Sequence, residues 1–289
     1  MKKSKIKISI IITSYNRPLV LEKNLKNLKN VSNIKNCNVV IIQQNMNKKF
    51  INLFKKINFK KFYILKTKYP KKFNPHKKMI LNGLEGMKFA FENLKSDICF
   101  YVEDDIILAK DAIQFGTFII NRYDKDKNFF AVNFFSKMKY SASTQNLYSK
   151  FIYGIGKGWG VSKNKWKLIK KFWDTNFVNS HIAPLYDSPI EEYIKSESKY
   201  VVMPINSRSY EIPSNGVNIN LKDNQKYFKE FKGSFVGSNY IGNNYKYSFF
   251  QKYHWRNDCI RYKGKIIHLL ENMIKKTLKK FFYGNNKKK

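Results

Sequence analysis

The chain has 289 residues, 43% of them hydrophobic, enough for one large α/β domain or two smaller ones, and this excludes global disorder. Lys and Arg number 56 against 20 Asp and Glu, a formal net charge of +36 that points to an anionic partner: a nucleotide or sugar-phosphate, a nucleic acid or an anionic membrane. Three widely spaced cysteines, Cys37, Cys99 and Cys259, argue against a disulfide framework and against a zinc site, and fit a reducing compartment.

The N-terminal stretch MKKSKIKISIIIT has basic residues ahead of a short apolar run. Its β-branched density and the lack of a small-residue cleavage site make it a first strand, Lys7 to Thr13, rather than a signal peptide. SYNRP is turn chemistry. Leu19, Leu21, Leu25 and Leu28 then recur at near-helical spacing, which puts Lys and Asn on the other face. CNVVIIQQN and KFYILKT read as two further strands, and MILNGLEGMKFAFENL as a helix despite Gly83 and Gly86. Strand and helix in alternation predict a parallel sheet with crossover helices. After Lys127 come a strand (NFFAVNFF), an irregular glycine- and aromatic-rich segment ending in GKGWG, a helix (KNKWKLIKKFW) and a strand with a Pro (YVVMPINSRSYEI). Residues 214–257 read as loops over the core. No stretch is long enough to span a membrane as a helix.

The segment YVEDDIILAKDAIQF drives an apolar strand into three adjacent acids, Glu103, Asp104 and Asp105, before a helix that starts near Asp111. Ligands of open parallel sheets bind beyond the carboxyl ends of the strands. Carboxylates gathered at such an end suit Mg2+ or Mn2+, hard cations that complete their shell with water and phosphate oxygens. The alternative from spacing alone is a solvated turn of acids paired with nearby lysines.

ISIIITSYNRP and its leucine-spaced helix resemble the start of GT-A nucleotide-sugar glycosyltransferases, including bacterial family 2-like enzymes. YVEDDIILAKDAIQF resembles the acid motif of the N-acetylglucosaminyltransferase I branch, where Glu-Asp-Asp stands for the common Asp-X-Asp. NPHKKMILNGLEGMKFAF upstream, and GKGWGVSKNKW and MPINSRSYEI downstream, extend the similarity in order over roughly residues 6 to 218. The resemblance implies an α/β chain of GT-A fold, a Rossmann-like mixed sheet flanked by helices. It implies that Asp105 coordinates Mn2+ or Mg2+ on the donor diphosphate, that Glu103 and Asp104 contact the nucleoside, and that Arg17 and His76 bind the donor. Where the family carries an Asp after its second strand, this chain has Gln43, Gln44 and Asn45.

An inverting transfer needs a carboxylate to take the acceptor hydroxyl's proton. APLYDSPIEEYIKS offers Asp187, Glu191 and Glu192; similarity of EEY to the family's helix-opening acid favours Glu191, with Asp187 next. Capping of a helix is the alternative role for these acids. Trp159, inside GKGWG, has an aromatic face suited to stacking on the acceptor's sugar ring, and Lys157 beside it is a weaker phosphate candidate.

The closing segment GKIIHLLENMIKKTLKKFFYGNNKKK has its apolar residues mostly on one helical face among lysines, the pattern of a basic amphipathic helix on an anionic bilayer. The organisation expected is a nucleotide-sugar half over residues 1–127, an acceptor half of the same domain over 128–257, and this tail over 258–289. The function expected is transfer from a UDP-sugar, such as UDP-N-acetylglucosamine, to a glycan or lipid-linked glycan of a bacterial capsule or lipopolysaccharide, at the inner face of the plasma membrane. The alternatives are a basic nucleic-acid-binding protein and a nucleotidyltransferase on a related fold. Lysines spread along the chain without a binding motif count against nucleic acid as a partner, and the lack of an N-terminal glycine-rich phosphate loop counts against the nucleotidyltransferase.

Overall fold

The Ile-rich run near the N-terminus is a strand because both its faces are buried: in β1 (Ile8–Ser14), Ile10 and Ile12 face one core and Ile11 the other. A computed structural model describes residues 6–44, 46–73, 75–138, 140–152, 154–172, 188–213, 232, 234–249 and 256. After β1 come α1 (Pro18–Leu28), β2 (Asn38–Gln43), α2 (Lys48–Lys55), β3 (Phe62–Lys66), α3 (Pro75–Lys88), β4 (Ile98–Glu103), β5 (Ile106–Leu108) and α4 (Ala112–Tyr123). They are followed by β6 (Phe129–Asn133), β7 (Leu147–Phe151), β8 (Trp159–Ser162), α5 (Lys163–Phe172), α6 (Ser188–Ser196), β9 (Tyr200–Pro204), β10 (Ser209–Glu211) and β11 (Lys246–Tyr247).

Among the described residues, nine strands form one sheet in the order β11-β7-β9-β6-β8-β4-β1-β2-β3, and β10 pairs with β5 as a separate antiparallel ribbon. β3, β2, β1 and β4 are mutually parallel; β8 runs against both β4 and β6. β6 and β9 therefore point the same way as β4. The carboxyl ends of β1, β2, β4, β6 and β9 and the beginning of β8 share one edge.

Two cores flank the sheet. Leu21, Leu25 and Leu28 of α1, Phe50 and Phe54 of α2, and Ile113 and Phe115 of α4 pack on one face. Ile80 and Leu84 of α3, Trp166 of α5, and Ile190 and Ile194 of α6 pack on the other. Gly86 belongs in α3 because the helix lies hard against the sheet: a Cβ there would come within 2.7 Å of Ile42 Cδ1.

The predicted parallel sheet with crossover helices is present, with three differences. The segment expected to be irregular holds β7 and β8, which are short and glycine-flanked but paired to neighbours on both sides. α3 begins at Pro75, four residues before the expected Met79, because Pro is well suited to a first helical turn. The expected polar outer face of α1 is partly buried, since Asn24 is enclosed. The basic tail, 258–289, and most of 214–257 lie outside the described residues. Among the described residues, no helix is long and apolar enough to cross a membrane.

Candidate active site

The acid motif sits where β4 leaves the sheet. The Asp104 N–H still donates to the Thr13 carbonyl at 3.2 Å, so the chain stays bound to β1 for one residue beyond the strand. It then turns into β5, and the Ile212 N–H donates to the Asp105 carbonyl at 2.7 Å, which ties the turn to the end of β10. Asn24 of α1 clamps the same turn from beneath: its Nδ2 donates to the carbonyls of Ile106 at 2.5 Å and Glu103 at 3.2 Å. Asn27, one turn on, brackets Leu108 by giving and accepting a hydrogen bond, at 3.0 and 2.9 Å. A helix face that reads as solvated in sequence is thus the mount for the acid turn.

Asp104 and Asp105 are both buried, whereas Glu103 is half-buried. Pro18 opens α1 and Arg17 is its N-cap residue, just ahead of it and close to the end of β1. From there Arg17 spans the two aspartates: Nη1 lies 2.9 Å from Asp105 Oδ2, and Nη2 donates to Asp104 Oδ1. Ser14 Oγ donates to the other Asp104 oxygen at 2.9 Å. Burial pushes the Asp104 carboxyl up, to about 6, against the opposing pull of Arg17. For Arg17, burial works toward loss of the proton, but the two aspartates prevail and raise its pKa. The sequence alternative of acids paired with lysines is replaced by one arginine serving two carboxylates.

Beside Arg17, a cleft of about 520 Å³ is lined by Asn16, Pro18, Asn47, Lys48 and Lys49. Asn47 caps α2, its side chain accepting from the N–H groups of Lys49 and Phe50, so the cleft ends at a helix N-terminus bearing two lysines. Nothing in the sequence reading singled out this wall, because α2 is short and lysine-rich.

Across the edge, the GIGKG segment enters β8 with Gly154, Gly156 and Gly158 all at positive φ (105°, 140° and 94°) and Lys157 at 51°. Three of these four left-handed residues are glycines, which allows the tight coil. Carboxylates hold it at both ends. The Gly154 N–H donates to Glu191 Oε1 at 3.2 Å, and Lys157 Nζ lies 2.7 Å from Glu211 Oε2. Asn133, at the end of β6, donates to the Gly154 carbonyl.

The predicted residues divide as follows. Arg17, Asp104 and Asp105 come together, with Glu103 adjoining them on β4. Glu191 lies in the first turn of α6, against the glycine coil, and also 4.0 Å from Lys195. His76 falls in the first turn of α3, but its side chain lies outside the described residues, as do Asp187 and the Glu192 side chain. Trp159 requires a correction. Its ring is fully buried in β8, 5.8 Å from the Tyr101 ring, because the strand pairs with β4 and β6 and turns the indole into the core. It presents no face to an acceptor sugar. Lys157, the phosphate candidate, is paired with Glu211.

The donor set at the acid turn is oxygen-only. Among the described residues no three His, Cys, Asp or Glu side chains converge as a metal site. Asp104 and Asp105 fit a hard cation that takes the rest of its shell from phosphate and water, on condition that Arg17 gives way.

No protein-family model matches the sequence, and no curated protein does. Solved structures do match. Crystalline S. aureus TarS 1-349 aligns over 78% of this chain and 71% of its own, at 12% identity and a TM-score of 0.50. Mannosyltransferase PcManGT from Pyrobaculum calidifontis, in complex with GDP-Man and Mn2+, aligns over 74% of this chain at 11% identity and a TM-score of 0.49; this chain spans 59% of its length. TarS 1-349 in complex with UDP-GlcNAc aligns over 73% and 60% of the two chains, at 14% identity and a TM-score of 0.49. The likeness to TarS 1-349 shows the fold: a mixed, mostly parallel sheet flanked by helices in the GT-A arrangement.

Proposed function

We propose that the protein is an inverting, metal-dependent glycosyltransferase that takes its sugar from a nucleoside-diphosphate donor. The observation that carries this reading is the pair of buried aspartates at the end of β4, held by Arg17, whose chain neighbours Asn16 and Pro18 line a cleft at the carboxyl edge of the sheet. That edge is where open α/β sheets bind nucleotides. The GT-A architecture supports it.

In this reading the nucleoside lies in the cleft beside Asn16 and Asn47, within reach of Lys48 and Lys49, and the diphosphate lies at Arg17. Asp105, with Asp104 behind it, would hold the divalent cation, Mn2+ or Mg2+. Bound there, the metal would neutralise charge on the departing diphosphate. The other chemistry falls to protein groups. Glu191 takes the proton of the acceptor hydroxyl as it attacks the anomeric carbon, so the sugar inverts and the nucleoside diphosphate leaves. Its position in the first turn of α6, against the glycine coil that enters β8, supports this role. The glycine coil it holds forms the wall between donor and acceptor.

The resemblance of the Glu103–Asp105 motif to the N-acetylglucosaminyltransferase I branch favours a UDP-sugar, with UDP-N-acetylglucosamine as first choice. The acceptor in this reading is a glycan of a bacterial surface polysaccharide. The basic tail, by its sequence pattern, would hold the enzyme on an anionic membrane that carries a lipid-linked acceptor. A screen of UDP-, GDP-, ADP- and CMP-sugars for Mn2+-dependent hydrolysis tests the reading, with Asp105→Ala as control. One donor class should turn over in the wild type and none in the variant; turnover unaffected by the substitution would remove the acid pair from the mechanism.

A further inference from the structure

The inference concerns how the donor site loads, and it rests on the reading above. Arg17 uses its planar fork on two different carboxylates at once, Nη1 on Asp105 and Nη2 on Asp104. Of the three side chains Arg17 is the outermost: it is 27% exposed, against 1% for Asp104 and 9% for Asp105. Its neighbours in the chain, Asn16 and Pro18, line the cleft. A cation approaching Asp105 from the cleft therefore meets the guanidinium first, and the guanidinium already holds one oxygen of each aspartate. Among the described residues, no third His, Cys, Asp or Glu joins the two aspartates, so phosphate oxygens are natural partners to complete a cation's shell there.

We propose that Arg17 is a resident stand-in for the divalent cation, exchanged for it when a diphosphate arrives, so that metal and diphosphate load as one unit. The physical basis is a swap of anions. A guanidinium that bridges two carboxylates can also take a diphosphate, since its planar fork pairs two N–H groups with two anionic oxygens in either case. Diphosphate in the cleft draws Arg17 outward, which frees Asp105 for the metal while the phosphate oxygens supply the missing ligands. Where the competent state is a minor one, apparent affinity falls by its population, and a first ligand that selects that state restores it. The coupling is reciprocal, so metal must strengthen diphosphate binding by the same factor.

The test is Mn2+ binding to the full-length protein, read from the electron paramagnetic resonance signal of free Mn2+, alone and with UDP, GDP or ADP. The wild type should bind Mn2+ about tenfold or more tightly with its matching nucleoside diphosphate than without. Arg17→Ala should bind Mn2+ alone about tenfold more tightly than wild type, and its gain from the diphosphate should shrink correspondingly. Arg17→Gln, which keeps polarity and most of the bulk, repeats the measurement if the Ala variant fails to fold. Mn2+ affinity that responds to a diphosphate but is unchanged or weakened in folded Arg17 variants overturns the proposal and leaves the glycosyltransferase reading standing. A wild type that binds no nucleoside diphosphate under any metal overturns both.

Discussion

Lys157 Nζ lies 2.7 Å from a carboxylate oxygen of Glu211, joining the glycine coil ahead of β8 to the ribbon that borders the acid turn. Both side chains are largely buried, and Lys157 also covers the Phe135 ring at 4.8 Å. The bridge couples the two sides of the proposed donor site mechanically. Removing one partner of such a pair leaves a poorly solvated charge behind, so Glu211→Gln should cost about 1–3 kcal/mol in urea denaturation. Donor KM should rise with it. Unchanged stability and KM would show that the coil is held elsewhere.

Asn24 is not part of the proposed transfer chemistry, yet the acid turn rests on it. Asn24→Ala strips hydrogen bonds from the Glu103 and Ile106 carbonyls. A loss of about 1–3 kcal/mol is expected for buried carbonyls left unpaired, together with weaker Mn2+-dependent donor binding. Asn24→Asp keeps the size but cannot donate, so it should behave like the Ala variant. Normal donor affinity in both would separate the clamp from the site.

Glu191 can be tested without disturbing its surroundings. Glu191→Gln keeps an oxygen able to accept the Gly154 N–H, so the coil stays in place while the proposed base is lost. Donor binding should persist and transfer should fall by about a hundredfold or more. Near-normal turnover moves the base to Asp187.

Asp104 makes a pH prediction with a definite sign. Burial raises its carboxyl from 3.8 in the open chain to about 6 in the fold, so between those values the folded state keeps a proton that the unfolded state has released. Its contribution to stability therefore falls as pH rises from about 4 to about 6 and is flat above, by up to about 3 kcal/mol in total. Denaturation of the wild type and Asp104→Asn across pH 4–7 measures this difference. A wild type that gains on the variant as pH rises would mean that Arg17 and Ser14 hold the carboxylate ionised.

The first half of the fold is legible in sequence because its signals are local: unbroken Ile-rich runs for β1 and β2, leucine spacing for α1, acids ending β4. The second half is less so. β7 and β8 gain their stability from partners on both sides, and glycines written for a left-handed coil look like disorder to a periodicity argument. The same contrast holds at the site. Asp105 is found by its place at a strand end, but its partner Arg17 lies 88 residues away and can be paired with it only by the topology. Asn24 is missed because helical spacing assigns it to the polar side without knowing that a loop crosses there. Trp159 goes the other way: its flat ring suits stacking on a sugar, and the strand pairing buries it.

In the proposed function, Asp105 is the point where a cation meets a donor's diphosphate. Manganese-edge anomalous diffraction from a crystal soaked with Mn2+ and the nucleotide sugar selected by the screen tests this most directly. A manganese peak about 2.1 Å from an Asp105 oxygen is predicted, with phosphate oxygens completing its shell and Arg17 swung off the aspartates. Donor bound elsewhere, with Arg17 still bridging Asp104 and Asp105, would contradict it.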